Sequence, residues 1–408
     1  MVSHRFERFE ALEARWYWVL AAAGAAAVLA GLWGAHTMES HGHAITGMNN
    51  RIVWGAPHVF AIFMIVAASG VLNVASIGSV FGHAVYKARA PLSGLLCIAL
   101  LAGGLFVLML DLGRPERVIV AATHYNFRSV FAWNVFLYSG MFTIVAVYLW
   151  TLMERRMNAY SKPAGLAAFF WRIVLTTGTG SIFAVLVARQ AYGTALLIPL
   201  FLAMSFAWGL AVFLVVQSTM YAWNAMELPA PIQRRMRNLL ALFVVTVLFL
   251  TLALHLVNAY FAKNLAFERF VLVDGGAYPL LFWGGYVLAG SVVPLALLWR
   301  DDGGSTRAML AAALLVIGGA FALLAVFIIG GQAGPLDIFP GYTLSSSALD
   351  GAIAGYAPGL PEVALGMGGL GVAFVITVVG VRVLHFLPQD DLSAVASAPA
   401  PAAQPKTT

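Results

Sequence analysis

Three residues have the chemical types needed to handle protons at the edge of an apolar segment: His58, Asp111 and Arg114. His58 begins one apolar run, and Asp111 ends the next, three residues before Arg114. Histidine exchanges protons near neutral pH, a carboxylate can pass a proton onward, and arginine can keep that carboxylate ionised. A quinone needs such groups beside an apolar wall, because its redox chemistry moves protons with electrons. We predict that His58 donates to a quinone oxygen, Asp111 relays the proton and Arg114 orients Asp111.

A second set of residues is predicted to line or support the same pocket. Each has an ordinary structural alternative, such as packing between helices or, for tryptophan, the aromatic belt at a membrane surface. His255, the histidine of this set, lies about 8 Å before the end of its apolar run, at 1.5 Å per residue. The set comprises Trp54, Asn126, Arg128, Ser181 and His255.

Haem ligation is the first competing interpretation of the histidines. A b-type haem needs an axial pair, and only His58 and His255 lie deep enough to supply one. The single cysteine, Cys97, lies in an apolar run and excludes an internal disulfide, a Cys-ligated cluster and a multi-cysteine zinc site. A single haem near one face would give no electron path across the membrane, so we predict no metal site. No other redox cofactor motif appears, so electrons must come from a partner.

The composition predicts an integral membrane protein. Of the 408 residues, 61% are apolar and 10% are charged, whereas soluble domains have about 25% charged residues. A membrane span needs about 20 mostly apolar residues. The sequence contains ten such runs, which predict an all-α polytopic protein. They are residues 14–35, 55–80, 92–111, 129–152, 168–188, 193–217, 238–260, 276–299, 307–330 and 363–385.

The basic residues predict the orientation. With the N-terminus inside, 16 Lys and Arg residues lie in inner segments and 7 in outer ones, as the positive-inside rule requires. Both termini are then cytoplasmic, and His58, Asp111 and His255 lie near the outer boundary. The net charge of +6 reflects this topology, so we predict a lipid bilayer as the environment and no nucleic acid as a partner.

Two segments differ from the apolar runs. The outer loop from Gly331 to Glu362 lacks Lys and Arg and contains several aromatic residues, which favours a lid or a docking surface over a floppy loop. Residues 388–408 are rich in Ala and Pro and are predicted to be a disordered cytoplasmic tail. Residues 1–387 then form a single membrane domain.

Several motifs resemble the polysulfide reductase membrane-subunit family, also called NrfD/PsrC. The resemblance rests on WGAPHVFAIFMIVAASG from Trp54, DLGRPER from Asp111 and NFRSVFAWNVFLYSG from Asn126. Spans five and six, from Gly180 to Ala211, resemble the matching helix pair of that family. Within the family, span two is most similar to the DsrP branch, the membrane subunits of DsrMKJOP complexes in sulfur-metabolising bacteria.

The resemblance implies a fold and a function. Helices 2–5 and 6–9 would form two four-helix bundles, with helices 1 and 10 peripheral. The chain would carry no haem or iron–sulfur cluster and would bind menaquinone or ubiquinone near the periplasmic face of the bacterial inner membrane. A DsrO-like, ferredoxin-like [4Fe-4S] subunit would dock there, beside other membrane and haem-bearing subunits of a DsrMKJOP-like complex. The chain would exchange electrons between quinone and that subunit during sulfur-compound metabolism, and would act only within the complex.

One departure and one rival interpretation remain. Several relatives have a histidine in span five where this chain reads Thr179-Gly180-Ser181, and His255 is the predicted replacement. The rival function is a secondary transporter for an anion or a sulfur compound, which ten glycine-rich spans would allow. Transporters place such sites near the bilayer midplane, whereas the ionisable residues here are predicted near one face.

Overall fold

The structure is a computed structural model that describes most of the chain. The described residues are 6–8, 14–79, 84–224, 226, 228–300, 305–334 and 352–388. The predicted disordered tail beyond Pro388 lies outside them, and so do residues 335–351 of the predicted outer loop.

Ten long helices dominate the described residues, and each is long and apolar enough to cross a membrane. They confirm the predicted all-α, ten-span fold. We number them α1 (Ala14–His41), α2 (Ala56–Ser79), α3 (Ala90–Leu110), α4 (Val130–Met153), α5 (Ser161–Ala184), α6 (Leu197–Trp223), α7 (Ala230–Tyr260), α8 (Ala277–Arg300), α9 (Thr306–Ala333) and α10 (Leu360–Val383).

Short elements connect the long helices. Three are α-helical, at Ala84–Lys87, Val118–Thr123 and Ala262–Arg269. Three are 3₁₀ turns, at His43–Ile45, Pro115–Arg117 and Arg155–Tyr160, and Phe270–Asp274 is a π turn. Two short strands, β1 (Phe6–Arg8) and β2 (His385–Pro388), pair antiparallel and bring the two ends of the described chain together.

Several helices are longer than their apolar runs. α7 begins at Ala230, eight residues before the predicted span, and includes Arg234, Arg235 and Arg237. A proline at its start suits a first helical turn, where the missing N–H has no intrahelical partner. Hydropathy marks only the part of a helix that lies in lipid, so a helix that continues into the headgroup region extends past that run.

Two membrane helices contain π-helical segments. α8 is π-helical over Leu280–Val292, and α9 is π-helical over Ala325–Gly330 before a last α-helical turn at Gly331–Ala333. A π segment widens the helix locally and is found frequently at functional sites. Both segments belong to the second half of the chain.

The long helices pack as two rings of four, with α2 at the centre of the molecule. α2, α3, α4 and α5 contact one another in sequence, and so do α6, α7, α8 and α9. α2 also packs against α6, α9 and α10, and 89% of its apolar window is buried. α10 lies against α2 and α3, and α1 lies along the outer side of α10.

A glycine crossing joins the two rings. Gly70 of α2 meets Ser205 and Gly209 of α6, and a Cβ added at Gly70 would lie 1.6 Å from the Ser205 carbonyl oxygen. In lipid there is little hydrophobic force between helices, so close backbone packing at small residues holds them together. The crossing therefore fixes the position of α2 relative to the second ring.

We expect Gly70→Val to destabilise the protein strongly. The new side chain must push α2 away from α6, and such overpacking costs roughly 1–3 kcal/mol or more. Thermal unfolding and yield of monodisperse protein in detergent would measure the effect. Gly318→Val is the matched control, since nothing lies within 4 Å of a Cβ at Gly318 in α9. Equal stability of the two variants would contradict the importance of the crossing.

Candidate functional site

A buried carboxylate contacts a histidine where α2 begins and α3 ends. Asp111 Oδ2 lies 2.9 Å from His58 Nδ1, and the Asp111 side chain is only 2% exposed. The other oxygen, Oδ1, is buried and has no hydrogen-bond partner among the described residues. A buried charge is costly unless it is paired, so the imidazole is the group that makes this carboxylate tolerable.

The start of α2 is held by a glutamine from the end of α9. Gln332 Oε1 accepts hydrogen bonds from the backbone N–H groups of Val53 and Trp54, at 2.9 and 3.1 Å. Its Nε2 donates to the Trp54 carbonyl oxygen at 2.9 Å and to the Ile328 carbonyl oxygen at 2.8 Å. These bonds satisfy the polar groups of the segment before α2 and determine where His58 enters the bundle.

A second histidine approaches the same carboxylate from the turn after α1. His43 Nε2 lies 3.9 Å from Asp111 Oδ1, a distance that one water could bridge. The His43 side chain is 37% exposed, compared with 22% for His58. Gly113, two residues after Asp111, has a φ of +68°, and a Cβ at this position would meet the His43 ring. Both the turn and the approach of His43 to Asp111 therefore require glycine here.

The two histidines determine the protonation of Asp111. Burial raises the pKa of the Asp111 carboxyl, but the contacts with His43 and His58 lower it by more, and the net pKa is below its ordinary value. The contact with Asp111 raises the pKa of His43 above its ordinary value, although partial burial opposes this effect. The arrangement therefore favours an ionised Asp111 and a protonated His43 beside it.

A second buried carboxylate, Glu362, lies close to the Asp111–His58 pair. Glu362, in the first turn of α10, is completely buried and accepts hydrogen bonds from Tyr356 Oη and from the backbone N–H groups of Gly47 and Gly359. Tyr356 Oη in turn accepts from the Ala56 N–H at 2.6 Å. Burial and the contact with Glu362 raise the pKa of Tyr356 far above its ordinary range. α10 is thus tied to the first turn of α2, close to the histidine of the site.

Aromatic rings form a wall beside His58. The Trp54 ring stacks on the His58 ring with centroids 5.9 Å apart. Trp54 also contacts Phe131 of α4 at 6.4 Å and Phe183 of α5 at 5.7 Å. A half-buried imidazole next to a ring face and apolar helices is the kind of setting that binds a flat, apolar ligand with a polar edge.

Three predicted site residues lie on the exposed loop between α3 and α4. Arg114 is exposed and, among the residues that the structure describes, contacts no carboxylate. The contacts predicted for Arg114 are made by His43 and His58 instead. Asn126 and Arg128 are also exposed, and Asn126 Oδ1 accepts the backbone N–H of Arg128 at 3.0 Å. This bond shapes the turn before α4.

The remaining predicted residues have partners of their own. Ser181 Oγ donates to the Thr177 carbonyl oxygen of its own helix at 2.7 Å. His255 lies in the second ring, where its Nδ1 is 2.6 Å from Glu268 Oε2. His58 and His255 therefore belong to different bundles and face different carboxylates, an arrangement that does not supply the axial pair of a haem.

A buried cation lies midway along the first ring. Arg172 of α5 is 3% exposed and lies over the rings of Phe169 and Phe206, at 5.0 and 5.4 Å. The Arg172 carbonyl oxygen accepts hydrogen bonds from Ser69 of α2 and Thr176 of α5, and the two hydroxyls are bonded to each other. Cation–π contacts and interhelical hydrogen bonds give this residue a packing role.

Sequence reasoning missed several residues that shape the site. His43 lies in a connecting turn, and no local pattern marks a turn residue as the neighbour of a carboxylate 68 residues later. The signal for Glu362 was present, since an acid in the first turn of an apolar helix is rare in lipid. The missed residues are His43, Gln332, Tyr356, Glu362 and, in the second ring, Glu268.

The family model described as "Polysulphide reductase, NrfD" matches residues 44–335. An Hdr-like menaquinol oxidoreductase integral membrane subunit of Archaeoglobus fulgidus is 27% identical over 353 residues, covering 86% of this chain and 89% of that protein. A putative dimethyl sulfoxide reductase membrane subunit of Halobacterium salinarum is 27% identical, covering 87% of each chain. A selenate reductase subunit of Mesobacillus selenatarsenatis is 21% identical, covering 68% of this chain and 74% of that protein.

These matches confirm the resemblance that the motifs indicated. The matched residues include His58, Asp111 and Gln332, and His43 lies one residue before the match begins, so most of the site lies within the region common to the family. Because the match spans well over half of the sequence, this chain belongs to the polysulphide reductase NrfD family.

Proposed function

We propose that this protein is the quinone-reactive membrane subunit of an oxidoreductase complex. The observation that supports it most directly is the buried Asp111 carboxylate against His58, beside the aromatic wall of Trp54 and at one end of the bundle. Such a site offers a flat apolar surface together with a protonatable group. A relative that is named a menaquinol oxidoreductase subunit supports a quinol as the substrate, and a menaquinol in particular.

His58 is the residue that we assign to the quinone oxygen. Its Nδ1 lies 2.9 Å from Asp111 Oδ2, and a carboxylate this close favours the tautomer with the proton on Nδ1. Nε2 then has its lone pair free to accept the proton of a quinol hydroxyl. Asp111 stabilises the imidazolium that results, because an opposite charge this close favours the protonated form. In the reverse direction, the protonated His58 donates to a quinone carbonyl.

His43 provides the exit for that proton. It is the more exposed of the two histidines on Asp111, and its pKa is raised by the same carboxylate. A proton that reaches His58 can therefore pass along Asp111 to His43 and from there to water at the end of the bundle. The charge distribution predicts that this end is the outer, periplasmic one.

Electrons must be passed to another subunit at the same end. The loop after Asp111 exposes four large apolar side chains, Leu112, Ile119, Val120 and Phe127. Exposed apolar side chains next to a redox site favour a docked protein. We propose that the partner is a ferredoxin-like [4Fe-4S] subunit on the periplasmic side of the bacterial inner membrane, with both termini of this chain in the cytoplasm.

The sulfur-compound role is the finer part of the proposal. The similarity of span two to the DsrP branch supports a DsrMKJOP-like complex that contains a DsrO-like partner and haem-bearing subunits. Two relatives are named as subunits of dimethyl sulfoxide and selenate reductases, so the terminal substrate is set by other subunits and differs among relatives. Arg114, Asn126 and Arg128 lie on the exposed loop, where we propose that they contact the partner or the quinone rim.

We expect Asp111→Asn to abolish quinol-linked electron transfer while the protein still inserts and assembles. The amide cannot stabilise the imidazolium, and loss of general acid–base catalysis costs about 10²-fold or more in rate. Quinol-dependent reduction of the partner subunit, measured alongside membrane yield, would test this. Glu116→Gln makes the same carboxyl-to-amide change on an exposed side chain of the same loop and is expected to keep full activity. Full activity in Asp111→Asn would refute the assignment.

The His43–Asp111 contact predicts a pH-dependent contribution to stability. Because the pKa of Asp111 is lowered in the folded protein, its contribution to stability is complete above the ordinary carboxyl pKa. That contribution is lost as the pH falls through the lowered pKa of the folded protein. Because the pKa of His43 is raised in the folded protein, its contribution to stability is complete below about pH 6.5. That contribution is lost as the pH rises through the raised pKa of the folded protein. The contact therefore stabilises the fold most in mildly acidic solution.

We accordingly expect His43→Gln to be less stable than the natural protein at about pH 5.5 and nearly equal to it at about pH 9. Thermal unfolding in detergent at the two pH values measures the difference. His124→Gln removes an exposed histidine from the loop before α4 and serves as the control. A His43→Gln deficit that is the same at both pH values would rule out this titration.

A further inference from the structure

A second acid–histidine pair is buried in the other ring. His255 of α7 lies with Nδ1 2.6 Å from Oε2 of Glu268, whose side chain is 2% exposed. The other carboxyl oxygen, Oε1, is buried and has no hydrogen-bond partner among the described residues. Leaving a buried acceptor unsatisfied is expensive, so a proton or a water molecule is the natural partner for Oε1.

A small cavity adjoins this pair and suits a water molecule. The volume open to the centre of a water molecule is about 20 Å³. A cavity needs roughly 10–15 Å³ of such volume to hold one water. Thr251, His255, Asn258 and Glu268 give it a polar side, and the rest of its wall is apolar. A water there would have the two to four polar partners that buried waters usually have.

The backbone on two sides of the pair is π-helical. The Phe282 ring, in the π segment of α8, meets the His255 ring edge to face at 4.7 Å. Val326 and Phe327, in the π segment of α9, line the cavity. Wider helical turns at a buried acid and its histidine are typical of functional positions rather than of simple packing.

No further acid or base lines the cavity in the part of the chain that the structure describes. Tyr286 Oη donates to Thr251, and Tyr192 Oη donates to a backbone carbonyl oxygen of α9. Both phenol hydroxyls thus already have hydrogen-bond acceptors, and Arg269 pairs with Asp274 in an exposed position. None of the other described ionisable side chains on the surrounding elements lines the cavity. They are Arg189, Tyr192, Tyr221, Arg234, Arg235, Arg237, Tyr260, Lys263, Arg269, Asp274, Tyr278, Tyr286, Arg300 and Arg307.

We propose that His255 and Glu268 form a second proton-binding site, which exchanges protons through the cavity water. When one proton is shared between His255 Nδ1 and Glu268 Oε2, the pair has no net charge. A further proton binds at Glu268 Oε1 and leaves an imidazolium beside a neutral carboxylic acid, and release of that proton restores the neutral pair. No other bond forms or breaks, and no oxidant is required.

One packed segment connects this site with the first. The Phe327 ring contacts Phe183 at 5.0 Å, and Phe183 contacts Trp54 at 5.7 Å. The same segment of α9 continues to Gln332, which holds the start of α2. Occupancy of the second site is therefore expected to respond to quinol at His58, and this response rests on the proposed quinone function.

Infrared difference spectra of the purified full-length protein test the site without any quinone. In the difference between spectra recorded in acidic and in alkaline solution, we expect a carboxylic acid band that shifts in heavy water and is lost in Glu268→Gln. Tyr286→Phe is the matched control, because it removes a neighbouring hydrogen bond but no carboxyl group, and it is expected to keep the band. A missing band in the natural protein, or a band that persists in Glu268→Gln, overturns the proposal.

His255→Gln provides a second test in case Glu268→Gln does not fold. It retains the acid but removes the positive partner, so the titration midpoint of the same band is expected to move by about one pH unit or more. An unchanged midpoint overturns the pairing. Adding a short-chain naphthoquinol then tests the link between the sites. If the band titrates but does not respond to quinol, the second site stands and its coupling to the first fails.

Discussion

The structure depends on keeping one carboxylate charged at the edge of a membrane bundle. Asp111 is almost completely buried, and a lone charge there would be too costly to keep. His58 and His43 reduce that cost from two sides, and the chain must bring the start of α2, the end of α3 and the turn after α1 together to do so. In the proposed mechanism the same contacts carry the proton, because they connect a half-buried imidazole to a more exposed one.

Helices outside the first ring complete this site. Glu362 at the start of α10 is satisfied by backbone N–H groups and by Tyr356, which in turn bonds the first turn of α2. Gln332 at the end of α9 bonds the segment just before α2. α10, which the family resemblance places at the periphery, therefore has a structural task. The position of His58 depends on both rings through α2.

The two rings contain related arrangements of acid and histidine, although their settings differ. His58 and Asp111 lie at a helix start and a helix end, beside exposed loop residues and an aromatic wall. His255 and Glu268 lie against π-helical backbone and a cavity of about 20 Å³. The first setting suits a ligand that enters from the membrane, and the second suits a proton.

The sequence by itself determined the number of membrane helices and marked His58 and Asp111 as polar residues at the ends of two of them. Hydrophobic length and charge are properties of local segments, so they can be read along the chain. Only the tertiary structure decided that His43 approaches Asp111, that Arg114 faces solvent and that His255 pairs with Glu268. Those contacts depend on which helices are neighbours and how each is rotated, and in lipid this is set by close packing at positions such as Gly70 rather than by hydropathy.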